Sequence, residues 1–279
     1  MRGMLEIARF CSIRRIAAAL GLALACAGFE EGGFEVYIPY VPTPHEIVER
    51  MLELAEVGER DYLIDLGSGD GRIAITAARK HGARALGVEI KPELVHLADK
   101  YAAEAGVTDK VSFREQDLFK TPISEATVIA LYLPPSVNLK LRPRLLNELR
   151  PGSRVVSQSY NMGGWHADAR TEVRGIDIYL WVIPARVAGR WILRDGSREI
   201  ALAISQEFQE IKGSATVGER PLSLLEANLR GDRIEFAFDL GDAQPTRFRG
   251  RVSGDVIAPE VAFGVAPWRA TRDASVKER

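Results

Sequence analysis

The 279 residues are 46% hydrophobic and 27% charged with a formal net charge of -1, the composition of a folded protein with room for one substantial core and a smaller second unit; a disordered chain is excluded. That near-neutral balance gives no bulk attraction to phosphate backbones, so no nucleic-acid partner is expected. The two cysteines, Cys11 and Cys26, precede residue 30, and the four histidines, His45, His81, His96 and His166, lack ligand spacing, which excludes a disulfide scaffold, a cysteine nucleophile in the body and a zinc site.

Arg2, Arg14 and Arg15 precede the apolar run IAAALGLALACA at 16–27, where Ala23, Ala25 and Ala27 offer small residues for cleavage. This is the pattern of an export signal, and it falls short of the roughly 20 residues a spanning helix needs. Residues 1–30 are therefore expected to be a signal peptide or membrane anchor. The protein would then be exported or associated with the inner membrane through its N-terminus. A plain amphipathic helix or a misassigned start leaves it cytoplasmic.

Prolines in VPTP at 41–44 fix a turn, and a helical pattern over 45–55 follows with Ile47, Met51 and Leu54 on one face. Strands are expected at 62–65, 84–89, 110–115 and 127–132, with helices at 71–80 and 91–105. A further helix after Pro135 stops before Pro151 and Gly152, and RVVSQS at 154–159 reads as the fifth strand. A strand at 176–183, rich in β-branched and aromatic residues, is expected to close the sheet. Strands alternating with helices argue an α/β fold with a mostly parallel, Rossmann-like sheet covered by helices, spanning 31–185.

Beyond about residue 190 the pattern changes to short strands punctuated by glycine turns. EIALAISQEFQEI, RIEFAFDL, TRFRGRV and DVIAPEVAF read as strands, with reversals at KG, RGD and SGD. A small antiparallel β-rich domain is expected at 186–270 and a flexible tail at 271–279. Arg186, Arg190, Arg247, Arg249 and Arg251 are its candidates for a basic surface, with solvated charges as the plain alternative.

The chemistry concentrates in DYLIDLGSGDGRIAITAA at 61–78, where an apolar run ends at Asp65 and a turn with Gly67, Ser68, Gly69 and Gly71 opens a helix. Glycines there let a ligand approach the main chain, which marks a nucleoside cofactor cradle. Glu89 closes the second strand, 24 residues after Asp65, where a carboxylate can bind both ribose hydroxyls. Asp117, after the third strand, can receive the exocyclic amine of adenine. NAD and S-adenosylmethionine both suit this spacing at first. The dinucleotide motif wants G-x-G-x-x-G, however, whereas Gly71 follows Gly69 by only two residues. Asp70 would also set a carboxylate where a pyrophosphate needs donors, so the pattern turns toward the sulfonium cofactor, whose positive charge tolerates acids.

DLGSGDGRI at 65–73 resembles the first motif of class I S-adenosylmethionine-dependent methyltransferases, with Glu89 and Asp117 at the positions of the ribose and adenine carboxylates. More narrowly, VPTPHEIVERMLELA, GSGDGRIAI, GVEIKPELV and LYLPPSVNLKLRPRLLNEL are similar to small bacterial methyltransferases related to the mitochondrial lysine methyltransferases of the ATP synthase c subunit. The resemblance implies S-adenosyl-L-methionine as cofactor, a protein lysine as acceptor and an N-terminal membrane-targeting segment. It covers roughly 41–183, and the strands beyond residue 190 have no counterpart in it.

The acceptor is expected at the carboxyl ends of the strands, with Tyr132 of LYLPPSVN lining the amine channel and Tyr160, Asn161, Trp165 and His166 forming a second wall. Among these, His166 is the candidate base. The Asn/Asp-Pro-Pro-Tyr motif of DNA and glutamine methyltransferases is broken here by Leu133 and Ser136, which argues against those acceptors. A small-molecule acceptor and a catalytically silent module that binds S-adenosylmethionine are the alternatives to protein methylation.

Overall fold

The protein is described by a computed structural model over residues 40–260 and 268–273. The expected signal or anchor at 1–30 and the end of the tail lie outside the described residues. Among the described residues, no helix is long and apolar enough to cross a membrane.

Pro44 turns the chain into α1 (His45–Leu54), whose Ile47, Val48, Met51 and Leu52 are buried. Strands and helices then alternate as β1 (Tyr62–Leu66), α2 (Arg72–His81), β2 (Arg84–Glu89), α3 (Pro92–Glu104), β3 (Val111–Glu115), β4 (Val128–Leu131), α4 (Pro135–Glu148) and β5 (Arg154–Gln158). The hairpin β6 (Ala169–Val173) and β7 (Ile176–Val182) follows, and the sheet order is β3-β2-β1-β4-β5-β7-β6. The five strands β1 to β5 pair in parallel, and β7 runs antiparallel to β5. Successive residues of a strand face opposite sides. Leu63 thus joins the apolar cluster of α1 and α2 on one face, while Ile64 and Leu66 join Leu141, Leu145 and Trp181 on the other. The chain reverses direction across the sheet between β1 and β4, which opens a crevice at their carboxyl ends.

The strand expected to close this sheet, now β7, lies one position in from the edge, and β6 is outermost. ARTEV alternates half-buried and exposed positions, a polar pattern typical of an edge strand and too weakly apolar to stand out in the sequence. Arg174 and Gly175 both take positive φ, 51° and 78°, the two-residue reversal that hairpins favour.

The remaining strands are β8 (Gly189–Asp195), β9 (Arg198–Glu207), β10 (Glu210–Val217), β11 (Arg220–Ser223), β12 (Leu225–Arg230), β13 (Arg233–Phe238), β14 (Thr246–Ser253), β15 (Val256–Ala258) and β16 (Arg269–Arg272). They form a second, antiparallel sheet in the order β11-β10-β9-β8-β16-β15-β14-β13-β12, and it curls until β10 approaches β12. Trp191, Phe236, Phe238 and Phe248 fill its interior. Three expectations are corrected here. The run 199–211 is two strands, broken at Phe208, whose φ is +53°. Lys212 and Gly213 make no reversal but lie within β10, where a β-carbon on Gly213 would come 2.3 Å from the Ala203 carbonyl oxygen. Thr271 and Arg272, assigned to a tail, pair with β15 and β8.

The arginines of β14 form no free basic surface. Arg247 pairs with Glu226, Arg249 with Glu235, and Arg251 with Asp232 and Glu260.

Candidate functional site

β1 delivers Asp65 to the crevice at 1% exposure, and its Oδ2 has no hydrogen-bond partner. Burial, then the charges of Glu89 and Asp70, push its pKa up to about 8. Ser68, in the turn that follows, is likewise buried with its hydroxyl unpartnered. Orphaned polar atoms are costly in a folded interior. Two of them flanking Gly67 mark a place built for a ligand.

The turn itself is shaped by its glycines. Gly69 has φ +55°, and a β-carbon there would lie 2.7 Å from the Tyr40 ring. Gly67 is packed the same way against Leu133, whose Cδ2 would be 2.9 Å from an added β-carbon. The third glycine serves packing instead. Added carbon at Gly71 would collide with Phe113 and Ala98, at 2.4 and 2.9 Å.

Glu89, at the end of β2, reaches across to the turn. Its Oε2 accepts from the Gly69 amide at 3.0 Å, and its Oε1 accepts from the amides of Ile90 and Lys91 at 2.9 and 3.1 Å. Asp117 closes a turn after β3, with Oδ1 accepting from the Phe119 amide at 2.8 Å and Oδ2 3.8 Å from the Lys120 ammonium. This is the turn-capping geometry, and Oδ2 carries the remaining acceptor capacity. Arg144 of α4 holds that turn by donating to the carbonyls of Leu118, Phe119 and Thr121.

Tyr40 and Arg72 belong to the site and escaped the sequence reading. Burial raises the Asp70 carboxyl, but the Arg72 guanidinium and the Tyr40 hydroxyl outweigh it and hold it below the usual carboxylate range. Arg72 also donates to the Thr43 carbonyl at 2.7 Å, fastening the segment before α1 beside the turn. Burial and then Asp70 push the Tyr40 hydroxyl up to about 12. The hint in the sequence was an arginine immediately after GDG, in DLGSGDGRI.

On the acceptor side Tyr132 is half-buried after β4 and stacks on Tyr160, with ring centroids 6.3 Å apart and planes 12° from parallel. Burial, then Tyr160, raises the Tyr132 hydroxyl pKa. Beneath them Asn138 is fully buried in the first turn of α4. Its Nδ2 reaches the Ser157 hydroxyl and the Tyr160 carbonyl, both at 3.4 Å, while Oδ1 is unpartnered. The structure therefore brings Asp65, Gly67, Ser68, Gly69 and Glu89 together, and links them to Tyr132 through Leu133.

His166 has a different setting. Its side chain is 76% exposed, and Nδ1 lies 3.0 Å from Glu210 of the antiparallel sheet. This contact ties the ring to the antiparallel sheet. A depression lined by Glu56, Gly58, Asp61 and Arg154 opens at the amino end of β1, away from the turn, and Arg154 there is already occupied by Asp61 and the carbonyls of Ala55 and Glu56.

The residues at the crevice fit S-adenosylmethionine. Asp65 lies close enough to Asp70 and Glu89 to feel both charges, and Asp70 is paired with the Arg72 guanidinium. Such a site repels a pyrophosphate and favours a cation. Comparison with known proteins agrees. The ANTKMT methyltransferase domain matches residues 65–169. A protein-lysine N-methyltransferase of Saccharolobus islandicus is 43% identical over 53% of this chain and 94% of its own length. The adenine nucleotide translocase lysine N-methyltransferase of Mus musculus is 36% identical over 58% of this chain and 71% of its length. A solved structure from Salinibacter ruber, described as an RNA methyltransferase in complex with S-adenosyl-L-homocysteine, is 58% identical with a TM-score of 0.52, covering 53% of this chain and 96% of that one. This chain belongs to the ANTKMT methyltransferase family and is an S-adenosylmethionine-dependent methyltransferase.

Proposed function

We propose that the enzyme methylates the side-chain amine of lysine in a protein. The observation that carries this reading is the match to the archaeal protein-lysine N-methyltransferase over nearly its whole length. The stack of half-buried Tyr132 on the exposed ring of Tyr160 supports it. An amine must lose its proton to become a nucleophile, and partial desolvation beside Tyr132 lowers its pKa.

When bound, S-adenosylmethionine supplies a methyl group on a positively charged sulfur, which the acceptor nitrogen displaces in line. In this reading Glu89 holds the ribose hydroxyls and Asp117 receives the adenine amine through its remaining oxygen. Gly67 and Gly69 keep the main chain bare for close approach, while Asp65 and Ser68 complete the polar floor. Tyr132 lines the acceptor channel and, with Tyr160, excludes water from it. The residues thus contribute chiefly by holding donor and acceptor in one orientation, which is worth several kcal/mol as effective concentration. We further propose that residues 1–30 are a signal peptide or membrane anchor, which mass measurement of the N-terminus after membrane fractionation tests.

The experiment for the acceptor is methyl transfer from labelled S-adenosylmethionine to membrane proteins, soluble proteins and total RNA in parallel, followed by mass spectrometry of labelled peptides. Methyl-lysine in a protein fraction supports the reading. Label confined to RNA, as the description of the Salinibacter relative would suggest, overturns it. The near-neutral charge and the paired arginines of β14 favour protein over RNA.

A further inference from the structure

The turn between β9 and β10 is built against the rules for a hairpin. Two-residue reversals favour asparagine and glycine, which accept positive φ without strain, yet here Phe208 takes φ +53°. Its ring does not join the interior of its own sheet. It packs into the apolar cluster on the α4 face of the parallel sheet, stacked on Trp165 with centroids 6.0 Å apart and planes 19° from parallel. The Arg142 guanidinium covers it at 5.4 Å. Gln209 bonds the same loop twice: Oε1 accepts from Trp165 Nε1 at 2.9 Å, and Nε2 donates to the His166 carbonyl at 2.8 Å. A conformation this unfavourable persists where its surroundings demand it. What the turn grips is the loop 159–167.

That loop carries Tyr160, whose ring stacks on Tyr132 beside Leu133 and the glycine turn. A continuous path of packed groups thus runs from the antiparallel sheet through Phe208, Trp165 and the loop to Tyr160. The archaeal relative is matched over 94% of its length by about half of this chain, which leaves it no room for a second sheet of this size. That relative, named for lysine methyl transfer, is thus too short to carry such a sheet.

We infer that the antiparallel sheet is an acceptor-side clamp, with Phe208 and Gln209 as positioning residues that fix the loop 159–167 and set how the acceptor fits against Tyr160. The inference rests on the reading that the Tyr132–Tyr160 wall receives the acceptor. Because cofactor contacts come from other elements, the clamp acts on acceptor affinity and leaves cofactor binding alone.

The test uses the full chain and two variants: Phe208→Asn with Gln209→Ala, which removes the ring and both loop bonds while asparagine suits the positive φ, and Phe208→Tyr, which retains the stack. Amide exchange of 159–167 is measured together with calorimetric binding of S-adenosylhomocysteine and steady-state methyl transfer to poly-L-lysine. Losing two hydrogen bonds and a stacked ring should speed exchange in the loop by about tenfold or more and raise KM for poly-L-lysine by a similar factor. Binding of S-adenosylhomocysteine should stay within about twofold, as for well-separated sites, and Phe208→Tyr should behave as the parent. Unchanged loop exchange overturns the clamp, and so does faster exchange with KM unmoved or with cofactor binding lost in parallel. If the double variant fails to fold, Gln209→Ala alone carries the same comparison. A parent enzyme that labels no lysine sinks the acceptor reading instead, and the exchange measurement still decides whether the sheet holds the loop.

Discussion

Asp65 gives the clearest handle at the scale of single residues, because a buried carboxylic acid with an unpartnered oxygen ties binding to pH. Burial first, then Glu89 and Asp70, push its pKa up to about 8, against roughly 4 in an unfolded chain. Between those values the folded protein holds a proton that the unfolded chain has lost. The unfolding free energy contributed by this group therefore falls as pH rises through that window and levels off above it. A cation bound beside Asp65 favours the carboxylate. Binding of S-adenosylmethionine at pH 7 should accordingly release about one proton, and affinity should climb toward pH 8 by at most about tenfold per unit. Calorimetry in buffers of different ionisation enthalpy measures the proton count; an equal count for parent and Asp65→Asn rules the coupling out. The glycines divide by a similar logic. Alanine at either Gly69 or Gly71 is strained by positive φ, at roughly 1–3 kcal/mol. Beyond that, Gly69→Ala meets the Tyr40 ring, which is 38% exposed and can swing aside. Gly71→Ala meets Phe113 and Ala98 inside the fold, adding an overpacking cost of about 1–3 kcal/mol. Thermal melts and S-adenosylhomocysteine titrations should show Gly69→Ala losing mainly affinity and Gly71→Ala mainly stability. Equal melting temperatures for the two would refute the division.

Among the elements, α4 has a duty that its sequence does not announce. Arg144 donates to three carbonyls of the turn that carries Asp117, and Glu148 holds the guanidinium from the other side. Arg144→Ala should free the turn and weaken S-adenosylhomocysteine binding by about tenfold, equivalent to one or two net hydrogen bonds, with the melting temperature changed little. Unaltered affinity by titration calorimetry would show that Asp117 holds its place without α4. The element pattern also explains what could be read from the chain. Strands β1, β2, β4 and β5 announce themselves as apolar stretches with glycine or proline close by, helices α2 and α3 end at glycines, and the crevice then follows from their order. By contrast β6, β11 and β16 are four or five residues long and largely uncovered, so their pairing rests on neighbours distant in sequence. Phe208 read as strand because an aromatic in an alternating run gives no sign of a turn. Asp65, Gly67, Ser68, Gly69 and Glu89 were legible because two strand ends carry them. Tyr40, Arg72 and Arg144 were not, since each acts by reaching a partner that only the folded chain supplies.

Across the whole molecule, the two sheets are joined at two hairpin turns rather than by a linker alone. Phe208 enters the apolar cluster of the parallel sheet, and Trp165 and Gln209 bond across the same seam. At the second contact, the turn after β12 brings Gly231 so close to Gly152 that an added β-carbon would lie 3.1 Å from its Cα, while the Ala185 amide donates to the Gly231 carbonyl at 2.7 Å. Unfolding either sheet would expose an aromatic ring and strand buried polar groups of the other, which couples their stabilities. A ligand that binds only the parallel sheet should then protect both. S-adenosylhomocysteine at a hundred times its Kd adds about 2.7 kcal/mol to the state that binds it, a rise of roughly 5–10 °C for a chain of this size. Scanning calorimetry should show one transition moving by that amount, and amides of β13 and β14 should lose exchange protection at the same raised temperature as those of β1 and β4. A second transition that stays put when ligand is added, carrying the β13 and β14 amides with it, would mean that the antiparallel sheet melts independently and that the seam transmits no stability.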